Sequence, residues 1–206
     1  MLTTDRQTDQ LYKEAFKYIS QFSCFDSKEV NDIVGSLNLA YMGKGKILLR
    51  EGDTDDRWHF VLRGCVRQYY LIDGIEKTTA FFTERQGVIC ASSYYRQTLS
   101  DHYLACSEDS ILITGNAMAR KCLFDEFPKL EDLVRSITEE DRTRVHESLT
   151  RFIASSPEER YLNLLQTRPD LLQRIPLHQI ASYLGMTAES LSRIRKRLAS
   201  KKLLCA

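Results

Sequence analysis

The apolar positions change period twice along the chain. Up to about residue 40, Leu11, Ala15, Phe16 and Ile19 recur at helical spacing. A second short helix is expected to begin with Ser27 as its N-cap, followed by Glu29 and Val30, with Val34 and Leu37 on its apolar face. From Lys46 to about Thr114 the pattern becomes one of short strands. KILLR, HFVLRG, CVRQYYLI, EKTTAFF and SILIT are rich in β-branched and aromatic side chains. Glu51-Gly52-Asp53, Arg63-Gly64 and Asp73-Gly74 punctuate them as turns, and Asp73-Gly74 predicts a tight hairpin. Short strands at such regular spacing predict an antiparallel roll or sandwich, not βαβ units.

From about Met118 the pattern is helical again. After a short helix, a long one is expected from Phe127 to about Ile153, with Leu130, Val134, Ile137, Val145, Leu149 and Phe152 along one side. The charged run Glu139-Glu140-Asp141-Arg142 interrupts this stripe. A long helix with a narrow stripe either packs on its own domain or pairs with a twin; its place between two domains favours pairing. Ser155-Ser156-Pro157 ends it, and proline suits the first position of the helix that follows.

The last periodic segment is IPLHQIASYLGMTAESLSRIRKRLASKKLL, residues 175–204. Pro176 breaks the preceding element, and Ile180, Ala181 and Leu184 form the apolar face of a short helix. Gly185 stands where a helix must end in a left-handed residue, Met186 plugs the turn, and Thr187 caps the next helix. That helix turns Leu191, Ile194 and Leu198 inward. This is a helix-turn-helix, whose second helix enters a major groove. Arg193 can donate two hydrogen bonds to a guanine edge, and Glu189, one turn earlier, can accept from a cytosine amino group. Thr187, Ser190, Lys196, Arg197, Lys201 and His178 suit phosphates, which position the helix without specifying sequence.

Charge supports this division of labour. The net charge is only +1, yet from Ser155 onward nine Lys and Arg face four acids. The tail is therefore basic and the body acidic, so one end alone is expected to meet a polyanion. The remaining composition, 43% hydrophobic and 28% charged over 206 residues, is that of a globular chain able to build its own core. No apolar run reaches the eighteen or so residues of a membrane span, and the N-terminus lacks a signal-peptide layout, so a cytoplasmic protein is expected. The six cysteines, at 24, 65, 90, 106, 122 and 205, form no closely spaced metal-binding pair. Free thiols, mostly buried, are expected.

IPLHQIASYLGMTAESLSRIRKRL resembles the DNA-binding end of the Crp/Fnr family of bacterial transcription regulators. ILLREGD and WHFVLRGCVRQYYLIDG resemble the β-roll of the cyclic-nucleotide-binding domains that precede it in the family. The resemblance covers nearly the whole chain and implies an α+β fold. It places an antiparallel, jelly-roll-like sensor roll over residues 1–126, a dimerisation helix over 127–154 and a helix-turn-helix domain over 155–206. It further implies a homodimer on double-stranded DNA, with Ala188, Glu189, Ser192 and Arg193 facing bases. The family usually continues into a β-hairpin wing; here Leu203-Leu204-Cys205-Ala206 follows the recognition helix, so a truncated or absent wing is expected.

The same resemblance locates the sensor cassette at QGVICASSYYRQTLSDHYLAC. Cyclic-AMP-binding members have a glutamate after the glycine of this cassette and an arginine near its end. Here Gly87 is followed by no such glutamate, Cys90 or a neighbour stands there, and Ser100-Asp101-His102 occupies the arginine end. Asp101 repels a phosphate. Cyclic AMP is therefore not expected to act, and any other effector is expected among Gly87, Cys90, Arg96, Ser100, His102 and Tyr103. Tyr94, Tyr95, Tyr103 and Trp58 are expected to fill the roll in preference to lining a ligand pocket. Only Cys24 lies where an iron–sulfur cluster would need several thiolates, and His59, His102, His146 and His178 form no haem signature, so no cofactor or metal is expected. Neither a nucleophile elbow nor a Walker loop is present, so an enzyme is not expected. The competing reading is an effector-binding signalling module whose C-terminal helices contact a protein partner.

Overall fold

The structure, a computed structural model, describes residues 5–204, with side chains over residues 8–200. Two helices open it, α1 (Asp5–Ile19) and α2 (Ser27–Ser36). Leu11, Ala15 and Ile19 are buried as their spacing predicts, but Phe16 is exposed. It follows Ala15 by one residue, about 100° around the helix from the buried row. The cap of α2 lies one residue earlier than expected. Asp26 accepts the amides of Lys28 and Glu29, and the Glu29 carboxylate accepts the Asp26 amide. This reciprocal capping box needs an acid three residues after the cap, which Asp26 has.

Eight strands follow: β1 (Leu39–Met42), β2 (Ile47–Leu49), β3 (Arg57–Arg63), β4 (Val66–Ile72), β5 (Ile75–Phe82), β6 (Gly87–Val88), β7 (Tyr103–Cys106) and β8 (Ser110–Asn116). A short helix, α3 (Ala91–Arg96), lies between β6 and β7. The strands form two antiparallel four-stranded sheets, ordered β1-β8-β3-β6 and β2-β7-β4-β5. Asp73 and Gly74 both take positive φ, 53° and 76°, the mirror-image turn that matches strand twist in a two-residue hairpin.

Strand alternation divides the roll's apolar groups into two layers. Val61 on β3 and Leu112 on β8 join Leu49, Val66, Val88, Leu104 and Cys106 inside the roll. Their neighbours Phe60, Leu62, Ile111 and Ile113 face the other way, onto Leu11, Ile33 and Leu130. His59 shares the inner side with Val61 and is 3% exposed; burial pushes its imidazole down to about 4. Burial likewise pushes the Cys106 thiol up to about 11. Cys65, Cys90 and Cys106 are buried free thiols, whereas Cys24 and Cys122 are exposed and also free. Cys205 lies outside the described residues.

Helices complete the chain: α4 (Ala117–Glu126), α5 (Pro128–Ala154), α6 (Pro157–Thr167), α7 (Leu171–Arg174), α8 (Leu177–Tyr183) and α9 (Ala188–Leu204). Pro157 opens α6 as predicted, and Ser156 with Glu159 closes a second capping box there. The chain forms two compact units: one of residues up to Gln68 with Phe81–Arg142, the other of Tyr69–Ala80 with Thr143 onward. In the second unit the β4–β5 hairpin meets α8. The Ser182 hydroxyl accepts the Thr78 amide at 2.9 Å and donates to the Glu76 carbonyl at 3.1 Å. Among the described residues, no helix is long and apolar enough to cross a membrane.

Candidate nucleic-acid interface

The C-terminal helix pair is assembled by local chemistry. Pro176 precedes α8, and Ile180, Ala181 and Leu184 are buried beneath it. Gly185 takes φ 69°. Its amide bonds the Ser182 carbonyl, and the Met186 amide bonds Ala181, both at 3.0 Å. These two bonds are the Schellman closure of a helix end, which favours glycine at the left-handed position. Thr187 then caps α9, its hydroxyl accepting the Ser190 amide at 3.2 Å.

Helix α9 turns Leu191 and Ile194 inward, 0% and 8% exposed, with Leu198 half-buried. Glu189, Ser192, Arg193, Lys196 and Arg197 are exposed, while Ala188 and Ser190 are half-buried at the helix start. Its own backbone amide, then the Thr187 hydroxyl and the Arg193 cation, hold the Glu189 carboxyl below the usual range. Arg193 donates to the Ser190 hydroxyl at 3.3 Å. Glu189 and Arg193, four residues apart, thus share one exposed face beside Thr187 and Ser190. His178 is exposed in the first turn of α8. Arg197 forms an ion pair with Glu158 on α6. The side chain of Lys201 lies outside the described residues.

Arg160 went unnoticed in the sequence. Its Nε donates to the Phe152 carbonyl at 3.1 Å, and its guanidinium donates to the Leu184 carbonyl at 3.3 Å. It also lies over the Phe152 ring, 4.0 Å from the centroid. Nothing local marks an arginine for this role, because its partners lie eight residues before it and 24 after it.

The stripe on α5 is only partly as expected. Leu130 is buried in the outer core, and Phe152 is half-buried under Arg160. Val134, Val145 and Leu149 are exposed at 37%, 65% and 56%, and Ile153, absent from the expected stripe, is exposed at 72%.

The segment around α3 packs partly on itself. Cys90, Ser100 and His102 are buried together, with Cys90 Sγ 3.5 Å from Ser100 Oγ. The Ser100 hydroxyl donates to the His102 carbonyl at 2.8 Å, and its backbone exchanges hydrogen bonds with Gly52 and Asp53. Asp101, 72% exposed, contacts His102 Nδ1 at 2.7 Å. Gly87 and Arg96 are exposed, and Tyr103 is half-buried. The expected aromatic filling does not hold as a set. Tyr94 is buried, but Tyr95 is 67% exposed. Trp58 packs with the outer core, its Nε1 donating to the Asn116 carbonyl at 3.1 Å. Trp58 differs from His59 by one strand position, so it faces the opposite side of the sheet. Among the described residues, no group of three His, Cys, Asp or Glu could hold a metal ion.

No protein-family model matches the sequence, and no curated protein matches it. Solved structures do. FixK2 from Bradyrhizobium japonicum shares 16% identity over 81% of this chain and 86% of that one, with a TM-score of 0.62. A CooA mutant from Carboxydothermus hydrogenoformans shares 14% over 85% and 82%, at 0.66. The c-di-GMP-responsive global regulator CLP of Xanthomonas campestris shares 16% over 86% and 94%, at 0.63. The chain has the α+β fold of the Crp/Fnr regulators, a cyclic-nucleotide-binding-like antiparallel roll followed by a long helix and a helix-turn-helix.

Proposed function

We propose that this protein is a sequence-specific, DNA-binding transcription regulator with no enzymatic activity. The observation that carries the proposal is the Schellman-closed turn at Gly185, which sets a capped, basic α9 beside α8 with Glu189, Ser192 and Arg193 exposed on one face. Arg193 and Glu189 read base edges, with Ser192 and Ala188 beside them. Thr187, Ser190, Lys196, Lys201 and His178 contact phosphates; Arg197 does so on leaving Glu158. The active form is a homodimer paired along α5, a role supported by the exposed Val134, Val145, Leu149 and Ile153.

The cassette supports no cyclic AMP response. Where a phosphate would dock, the Ser100 hydroxyl is already spent on the His102 carbonyl, and Asp101 presents a carboxylate. An effector, if the regulator uses one, acts through Gly87, Cys90, Arg96, Ser100, His102 and Tyr103, and no resident cofactor is required. Titration calorimetry with cyclic AMP and cyclic GMP should show no binding at micromolar concentration; saturation there sinks this part of the proposal.

The main test is a mobility-shift assay on genomic fragments. Arg193→Ala should lose about 10- to 100-fold in affinity for its operator and relax selectivity at one position of each half-site. If the variant binds every site as tightly as wild type, the base-reading role is wrong. If capture from extract survives nuclease treatment and no duplex shifts, the C-terminal helices contact a protein instead.

A further inference from the structure

We infer that Arg160 is the positioning residue of the reading head, fixing how α8 and α9 leave the long helix. The inference rests on the proposed DNA-reading role.

The last carbonyls of a helix have no partner within it, and they carry the negative end of its dipole. Arg160, on α6, meets two such ends at once. Its Nε takes the Phe152 carbonyl in the last turn of α5, and its terminal nitrogen takes the Leu184 carbonyl at the end of α8. A guanidinium can hold both because its donors diverge in one rigid plane, which a lysine ammonium on a flexible stem does not provide. Stacking on the Phe152 ring fixes that plane. The turn is shaped to admit it: a Cβ on Gly185 would lie 3.1 Å from the guanidinium and 3.5 Å from the Phe152 ring. One turn-defining glycine therefore serves both the left-handed backbone and the approach of Arg160. The Glu158–Arg197 ion pair ties the same first turns of α6 to α9.

A dimeric reader gains affinity from two heads held at the spacing of two half-sites. Loosening the heads lowers that gain without altering how one head meets one half-site. Arg160→Ala should therefore weaken binding to a full two-half-site operator about tenfold, leave binding to a single half-site within about twofold, and lose discrimination between half-site spacings one base pair apart. Arg160→Lys, able to hold one carbonyl at a time, should recover part of the loss. Equal losses on operator and half-site would mean a merely structural role and overturn the inference, as would an unchanged operator affinity.

A second measurement needs no DNA and separates this inference from the reading role. Spin labels at positions 148 and 199, both exposed, are placed in a background lacking the native cysteines. The labelled chain is diluted with unlabelled chain. The distance distribution should broaden in Arg160→Ala and narrow again in Arg160→Lys; an unchanged distribution overturns the inference. A wild type that shifts no duplex, with a distribution that still broadens, defeats the reading role and leaves Arg160 as the residue that orients α9.

Discussion

Helix α9 and the cassette around α3 carry similar numbers of polar side chains and use them in opposite ways. On α9 the described charged groups point to solvent, with Arg193 donating to Ser190 and Arg197 paired with Glu158 on α6. In the cassette Cys90, Ser100 and His102 turn inward, with Ser100 bonded through its hydroxyl, its amide and its carbonyl, while Arg96 and Asp101 stay exposed. The first arrangement leaves hydrogen-bonding capacity for a partner. At Ser100 the second consumes it, so a ligand approaching that hydroxyl would have to displace bonds already made. The contrast teaches that a shared fold leaves the use of its polar groups to be read residue by residue.

Three experiments sharpen this contrast. The largest expected effect is on the apolar side of α9. Leu191 is 0% exposed, and Leu191→Ala should cost about 2–5 kcal/mol of stability in the second unit. Denaturant melts should show it, with loss of any duplex shift at growth temperature; a cost below about 1 kcal/mol would mean α9 is held by something other than its apolar face.

The second lies inside the roll. His59 titrates near 6.5 when unfolded and at about 4 when folded, because burial disfavours its charged form. Between those values the unfolded chain binds the proton and the folded chain does not. Stability therefore rises with pH across that window and is lost as pH falls from about 6.5 towards 4, by up to about 3 kcal/mol. Melts at pH 7 and pH 4.5 should differ more for wild type than for His59→Leu. Parallel slopes would show that His59 is not the group responsible.

The smallest effect concerns phosphate contact. Lys196→Ala should weaken DNA binding about equally on all sequences and flatten the salt dependence by about one unit of slope per chain. A loss confined to particular base pairs would move Lys196 from the phosphates to the bases and redraw the reading face.

The helix-turn-helix was legible in the sequence because each of its signals is local. Gly185 for the reversal, Thr187 for the cap and Leu191 for the buried side lie within seven residues and need no distant partner. Pro157 with Ser156 and Glu159 marked the start of α6 in the same way. The roll was legible as a class but not strand by strand. Strands β1, β6 and β7 were missed: Leu39–Met42 earns its strand only by pairing with β8, and Gly87–Val88 only by pairing with β3. The inward or outward sense of Trp58, the cap at Asp26 and the stacking of Phe152 under Arg160 depend equally on groups that become neighbours only after folding.

The contact between Ser182 and the hairpin has a consequence for solubility. β5 is the outer strand of its sheet, and an outer strand offers unpaired amides and carbonyls to any other chain that can lie alongside. Through one hydroxyl, Ser182 occupies the Thr78 amide and the Glu76 carbonyl, which lie on the same side of the strand. The hairpin beyond them exposes Leu71, Ile72 and Ile75, the kind of apolar flank that makes an open edge adhesive. A helix end laid across that edge removes the template on which intermolecular β-pairing, and with it aggregation of the concentrated chain, would begin.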